Sequence, residues 1–459
     1  MSELTISASD YKIMSAIIST DRLGTFEFDV TSSIIDLTIN EDMTSLGLHG
    51  NVTILDDANL LAVVDFQGTE YIHLEMSLQS DVQKPLKKTF LLSELETSQK
   101  GNDQSEILIF TLESVEDYLN SLTNVNKSYD GTPAEIIQKI VKDSFGLDRE
   151  VKTNNKVFQG NMRVIIPNWS PFKAMRWVAD RSTSDLGLPY FLYSILGDDK
   201  FRLLDLQTLL EGQPLNTIPY RYNQGAAQNL SDQNVSAQQY NIKSYQVNNT
   251  ENTIGIADTG GISGEYRFID TTTFQDNKFN YNIKDVYKQL AKNSNLFSGN
   301  KTPNLDTEFK IKEKRLDEFN TIRVTQIGTS KVYSDIPSYH ENMTPADHSQ
   351  KAKSMSYHKF IQKSAMEIVI PGMSMYYSGG EKFSNVSIGN LIDVEFLDNE
   401  PKQAGATLSE NAPDGKRSGI YLIAACKHMI QNNQGKFKYD CVLRILKLAN
   451  RDGMTVIPT

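Results

Sequence analysis

Between Phe26 and Leu112 apolar and polar residues take turns along the chain. Ile35, Leu37 and Ile39 alternate with polar partners, as do Ile72, Leu74, Met76 and Leu78, then Leu108, Phe110 and Leu112. A period of two is that of a strand with one face buried. Breakers at Asp56-Asp57, Gln67-Gly68, Lys84-Pro85 and from Lys100 to Asp103 separate these runs, with no long helical period between them. The pattern predicts an antiparallel sandwich or barrel.

Beyond about residue 115 the period changes. Thr132-Pro133-Ala134-Glu135 combines an N-cap, a proline at the first helical position and a glutamate at the third. A helix should start there, bury Ile136, Ile137, Ile140 and Val141, and stop at Gly146. Trp169-Ser170-Pro171-Phe172 repeats the signal, with Ser170 as cap and Ala174, Trp177 and Val178 on the buried side. The runs from Pro189 to Tyr193 and from Phe201 to Leu204 flank Gly197-Asp198-Asp199 as the arms of a hairpin. Residues 119–225 therefore read as a mixed α/β domain.

From Ala226 to Ser263 the chain is rich in Gln, Asn, Ser and Gly, a linker with a strand near Tyr240 to Val247. A short helix is expected from Ile283 to Lys292 and a longer one from Pro345 to Ser364, with Lys351, Lys353, Lys359 and Lys363 on a solvated face. Strand patterns return at Glu367 to Ile370, Gly389 to Phe396, Tyr421 to Ala424 and Tyr439 to Leu443. An internal echo accompanies them. The run from Ile72 to Met76 matches Ile392 to Phe396 position for position in character, each shortly after a glycine, and Val52 to Ile54 parallels Ile368 to Ile370. The echo suggests two related barrels.

With 459 residues, about three domains are expected, and 39% hydrophobic with 22% charged residues is the composition of folded protein. No apolar run approaches the roughly 18 residues of a spanning helix. Glu3 and Asp10 stand where a signal peptide would carry positive charge, so the chain is expected to remain in the cytosol. A net charge of −11 argues against a basic nucleic-acid face. Residues 1–100 hold 16 acidic against 6 basic residues, so nearly all the net charge lies in the first fifth.

Cys426 and Cys441 are too few for a disulfide framework or a four-cysteine zinc site, and thiolate metal binding is not expected. Asn432-Asn433-Gln434-Gly435 lies midway between them and would fold them into a hairpin as facing, reduced neighbours. Gly299-Asn300-Lys301-Thr302 lacks the glycines of a phosphate loop. His340-Glu341 begins like a zincin helix, but Thr344 stands where the second histidine should be, and His340, His348 and His358 lack ligand spacing. The 57 acidic residues leave a carboxylate pair for glycoside hydrolysis open.

The order barrel, Ser-Pro-capped α/β domain, barrel resembles the baseplate central hub protein of contractile bacteriophage tails, of the T-even type, and the hub part of type VI secretion spike proteins. The resemblance is carried by Ile166 to Trp177, the hairpin from Pro189 to Leu203, and the blocks Val386 to Asp393 and Gly419 to Ile423. It covers most of the chain except about 251–345, and none of its motifs is catalytic. It implies an α+β, mainly β fold: a tube-type antiparallel β-barrel at 1–118, an α/β domain at 119–225, and a second barrel at 226–455 with a partly helical insertion at about 251–345. It further implies a non-enzymatic homotrimer without cofactor or metal, a pseudo-sixfold ring in the virion's tail baseplate. Its partners would be a tail spike protein below, a tail tube or tube-initiator protein above, and baseplate wedge proteins. DNA would pass through the ring without specific binding, and no membrane would be entered. The alternative is a cell-wall hydrolase or carbohydrate-binding tail component. Alternation places Glu75, Asp393 and Glu395 opposite the core faces of their strands, on the channel or the outer wall. Acidic groups there would repel DNA phosphates.

Overall fold

The computed structural model describes residues 10–20, 26–78, 85–100, 105–146, 149–153, 162–184, 187–216, 218–222, 240–249, 253–258, 260–270, 276–285, 302–303, 310–319, 321–327, 354, 364–372, 388–396, 417–433, 435–447 and 449–450. The first strands are β1 (Asp10–Thr20), β2 (Phe26–Asp29), β3 (Ile34–Asp42), β4 (His49–Asp56), β5 (Glu70–Leu78), β6 (Leu86–Lys100) and β7 (Glu106–Glu113), with helix α1 (Leu60–Val64) ahead of β5. Their alternation has the expected effect. Ile72, Leu74 and Met76 of β5 and Leu108, Phe110 and Leu112 of β7 are buried, while Tyr71, His73 and Glu75 face away. Glu70 breaks the rule with a reason: its buried carboxylate accepts the backbone N–H groups of Gln67, Gly68 and Thr69, satisfying the turn that leads into the strand.

The middle of the chain supplies α2 (Val115–Leu122), β8 (Val125–Gly131), α3 (Pro133–Phe145), β9 (Val151–Thr153), β10 (Met162–Trp169), α4 (Pro171–Asp180), β11 (Tyr190–Ser194), β12 (Phe201–Asp205) and α5 (Leu206–Glu211). The capping box of α3 forms as read: Glu135 N–H donates to Thr132 Oγ1 at 3.3 Å and Thr132 N–H to Glu135 Oε2 at 2.9 Å. Gly146 ends the helix at φ +60°. Two details of α4 differ. Ser170 makes no side-chain cap; the amide of Asn120 on α2 does so instead, accepting Phe172 N–H at 2.8 Å. Trp177 is only half-buried, edge-on to Trp169 and with the Arg181 guanidinium over its ring, and Met175 and Ala179 take its place in the core. β8 to β12 with α3 and α4 share a hydrophobic cluster of their own, joined by Leu46 from the first unit, whereas Tyr193 and Leu206, Leu209 and Leu210 of α5 belong to the main core.

The remaining strands are β13 (Tyr220–Arg221), β14 (Ser244–Asn249), β15 (Ser263–Asp270), β16 (Asp276–Asn282), the two-residue β17 to β19 (Thr302–Pro303, Lys310–Ile311, Lys314–Arg315), β20 (Thr321–Ile327), β21 (Ser364–Pro371), β22 (Leu391–Glu395), β23 (Gly419–Asn433), β24 (Lys436–Lys447) and β25 (Ala449–Asn450). The described part of 251–345 is mostly strand, with a sheet in the order β16-β15-β20, beside short helical segments at Thr253–Asp258 and Leu316–Glu318. The helix expected from Ile283 is described only to residue 285, and the one from Pro345 lies outside the described residues, as do His340, His348 and His358.

The echo seen in the sequence is matched by topology. The first unit orders its strands β3-β4-β7-β6-β5-β1 and the last β14-β21-β24-β23-β22-β13, which is one spatial order built in one chain order. Ile72 to Met76 and Ile392 to Glu395 lie on corresponding strands, β5 and β22, with Phe396 just past the end of β22, and Val52 to Ile54 and Ile368 to Ile370 lie on β4 and β21. The first strand departs: β1 runs antiparallel to β5, whereas β13 runs parallel to β22. Both sets belong to one 13-stranded sheet.

The candidate functional site at the hairpin junction

The two units meet where the long hairpin β23–β24 enters the first. Gly435 at φ +84°, with its N–H donated to Asn432 Oδ1 at 2.9 Å, turns the chain. Residues Ala425 to Gln431 of β23 pair with Asp42 to Asp36 of β3, and Phe437 and Lys438 of β24 pair with Tyr11 and Asp10 of β1. Followed from strand to strand, the pairings β23-β3-β4-β7-β6-β5-β1-β24 return to β23. The hairpin tip therefore stands between the two outer strands of the first unit.

A polar cluster is buried under this seam. His428 lies directly across from Cys441, and Cys426 is diagonal to it, so the thiols share a face but are not the opposed pair read from the sequence. The reason is the turn, which centres one residue later than the midpoint of the two cysteines. His428 Nδ1 lies 3.6 Å from Cys441 Sγ, 3.8 Å from Cys426 Sγ and 2.7 Å from Tyr439 Oη. Its Nε2 is 3.5 Å from Glu41 Oε1. The Glu41 carboxylate also accepts the N–H of Leu196, from the middle unit, and that of Ile388, ahead of β22. One carboxylate on β3 of the first unit thus bonds segments of the two other parts of the chain.

All five side chains are buried. Burial pushes the Cys426 thiol and the Tyr439 hydroxyl well up. Burial also opposes charge on His428, but Cys441 and Glu41 beside it outweigh burial and raise the imidazole. Burial likewise resists ionisation of Cys441, and the hydrogen bond from Cys426 and the neighbouring His428 overcome it and lower the thiol. Among the described residues Cys426, His428 and Cys441 form the one group whose donor atoms could hold a metal ion, all within 4.8 Å of one another. His428 escaped the sequence reading, although its place two residues from Cys426 on a strand with a turn at Asn432 to Gly435 was the signal.

The acidic residues singled out in the sequence lie elsewhere. Glu75 faces away from the core of β5, is ion-paired with Lys87, and lines a cavity of about 430 Å³ between the first and middle units. Glu395 is paired with Arg221 at 3.3 Å, and the backbone of Asp393 exchanges hydrogen bonds with the Asn216 amide. The acids lining the cavity each have a cation: Glu116 has Arg149, Asp198 has Arg202, and Asp199 has Lys88 at 2.6 Å. No helix of the described residues is long and apolar enough to cross a membrane.

No family model matches the chain, and no curated protein matches it by sequence. Solved structures do match. A tail protein from Neisseria meningitidis MC58 is similar over 95% of this chain and 97% of its own, with a TM-score of 0.51 and 12% identity. The 43 kDa tail protein of prophage MuSo2 from Shewanella oneidensis is similar over 94% and 98%, with a TM-score of 0.54 and 11% identity. At such identity the likeness is one of fold, and it runs the length of both chains.

Proposed function

We propose that the chain is a structural, non-enzymatic hub of a phage tail baseplate, a homotrimer whose ring adapts a sixfold tail tube to a threefold spike. One observation carries this reading: a single chain holds the same six-strand order twice. Three copies of two like units give six, the number a tube above would meet, while the chains keep threefold symmetry for a spike protein below. The likeness of fold to tail proteins agrees with it.

The hairpin junction supplies a mode of assembly. Within a chain, β23–β24 fills the place between β1 and β3. Its counterpart in the first unit is β6–β7, whose exposed end, Thr97 to Lys100, pairs with β7 beyond the stretch that pairs with β5. The path of strands ends at β13 and β14 in the last unit. A neighbouring copy's β6–β7 entering there would repeat the junction between chains. In the assembled virion a tube or tube-initiator protein would sit on the ring, wedge proteins around it, and DNA would cross it.

Glu75, Asp393 and Glu395, each half-buried, are proposed as acidic groups of the two units that contribute to a lining that repels DNA. Glu75 and Glu395 are offset by Lys87 and Arg221, so such a lining depends on the wider acidic surface of the first hundred residues. Native mass spectrometry tests the hub reading. Three copies, alone or with the spike protein, are expected; a monomer under both conditions would overturn it.

A further inference from the structure

We propose that Cys426, His428 and Cys441 bind one zinc ion beneath the hairpin junction, with Glu41 orienting the histidine from behind. The donor set is the first argument. Two sulfurs and an imidazole suit zinc and poorly suit magnesium or calcium, which take oxygen ligands. Spacing is the second. Zinc–sulfur bonds of about 2.3 Å and a zinc–nitrogen bond of about 2.0 Å at tetrahedral angles set a sulfur–nitrogen edge of about 3.5 Å. His428 Nδ1 stands 3.6 and 3.8 Å from the two sulfurs, close to both sulfur–nitrogen edges of that tetrahedron, and all three donors lie within 4.8 Å of one another.

The third argument is the orientation of the ring. A ligating histidine characteristically donates its second N–H to a carboxylate, which fixes the tautomer and turns the other nitrogen to the metal. Glu41 Oε1 lies 3.5 Å from Nε2, and the carboxylate is held by the N–H groups of Leu196 and Ile388. Nδ1 is the ring nitrogen that faces the sulfurs. The remaining polar contact of Nδ1 is the Tyr439 hydroxyl at 2.7 Å.

Each ligand has a place in the fold that gives the ion a purpose. Cys426 and His428 come from β23 and Cys441 from β24, and Glu41 is on β3. An ion held there ties the hairpin's strands to each other and, through Glu41, to the first and middle units. Cys426 and Cys441 are 0% exposed and His428 is 1% exposed, so the ion would enter as the hairpin folds. The inference stands on the junction alone, whether or not the chain forms a trimer.

The test uses the full, untagged chain purified without chelator. About one zinc per chain is expected by elemental mass spectrometry, and refolding with cobalt should give thiolate-to-metal charge-transfer absorption. Because Cys441→Ser could prevent folding, the double variant Cys426→Ala/Cys441→Ala is measured beside it. It replaces the thiols with small apolar groups, and should fold and lose the zinc and the cobalt absorption. A folded, metal-free wild type that melts at one temperature with and without zinc would overturn the proposal. Zinc retained by the double variant would overturn it as well, as would a Cys426–Cys441 disulfide in freshly lysed cells.

Discussion

Several carboxylates of the acidic first hundred residues are structural. Glu41, Asp56 and Glu70 are 1%, 7% and 0% exposed, and each accepts backbone N–H groups, those of Ala58 and Leu60 in the case of Asp56. A charge count in sequence cannot separate such groups from solvated ones, since burial depends on which strand face the tertiary fold covers. Asp117 allows a direct measurement. Burial raises its carboxyl to about 6; the Ser114 hydroxyl works against the shift, and Glu113 and Glu116 add to it. The folded state therefore holds a proton that the unfolded chain has released between its ordinary value of 3.8 and about 6. This stabilisation is complete at lower pH and lost as pH rises through about 6. Asp117→Asn lacks the titration. The stability of wild type relative to the variant should fall between pH 4 and pH 7, roughly the window of that shift, in urea melts at matched ionic strength. A difference that is flat or rises with pH would remove the assignment.

At the scale of elements, strands and capped helices were legible because each carries its signal locally. The alternation of β5 and β7 and the capping box of α3 need no information from distant sequence. What escaped required another segment: Asn120 replacing Ser170 at the start of α4, Trp177 turned out to meet Trp169 edge-on, and Glu41 reaching His428 from β3. The candidate cluster was half legible, as two neighbouring thiols without the histidine between them. Turn glycines give the element-level prediction. Gly435 sits at φ +84° with nothing within 4 Å of an added Cβ, so Gly435→Ala should cost only the left-handed backbone, about 1–2 kcal/mol. Gly389 has φ +81°, but an added Cβ would lie 2.2 Å from the Tyr193 hydroxyl, itself buried. Gly389→Ala should therefore destabilise more than Gly435→Ala in urea titrations. Equal effects would mean that Tyr193 yields freely.

For the whole molecule, the question is whether one junction can be used twice. Inside the chain, a hairpin from the last unit stands between β1 and β3, and the strand circuit closes through it. The β6–β7 hairpin occupies the same position in the order of the first unit, and its far end is exposed along Thr97 to Lys100. An exposed strand edge is a template for pairing with another chain unless something covers it. On β14, Gln246 and Val247 are also exposed, at an end of the strand path. If β6 of one copy meets β14 of the next, the contact is head-to-tail, and it must either close into a ring or continue as a filament. Cysteine pairs read this out without disturbing the core: one of Thr97→Cys, Ser98→Cys or Gln99→Cys combined with Gln246→Cys or Val247→Cys. At least one pair should give chain-to-chain disulfides under mild oxidation, with products ending at three chains on non-reducing gels, and each single variant should give no ladder. The buried Cys426 and Cys441 stay out of the reaction. Ladders running past three chains would mean that the contact does not close. Native trimers that no pair can cross-link would place the ring interface on other strands and leave the β6–β7 hairpin without a part in it.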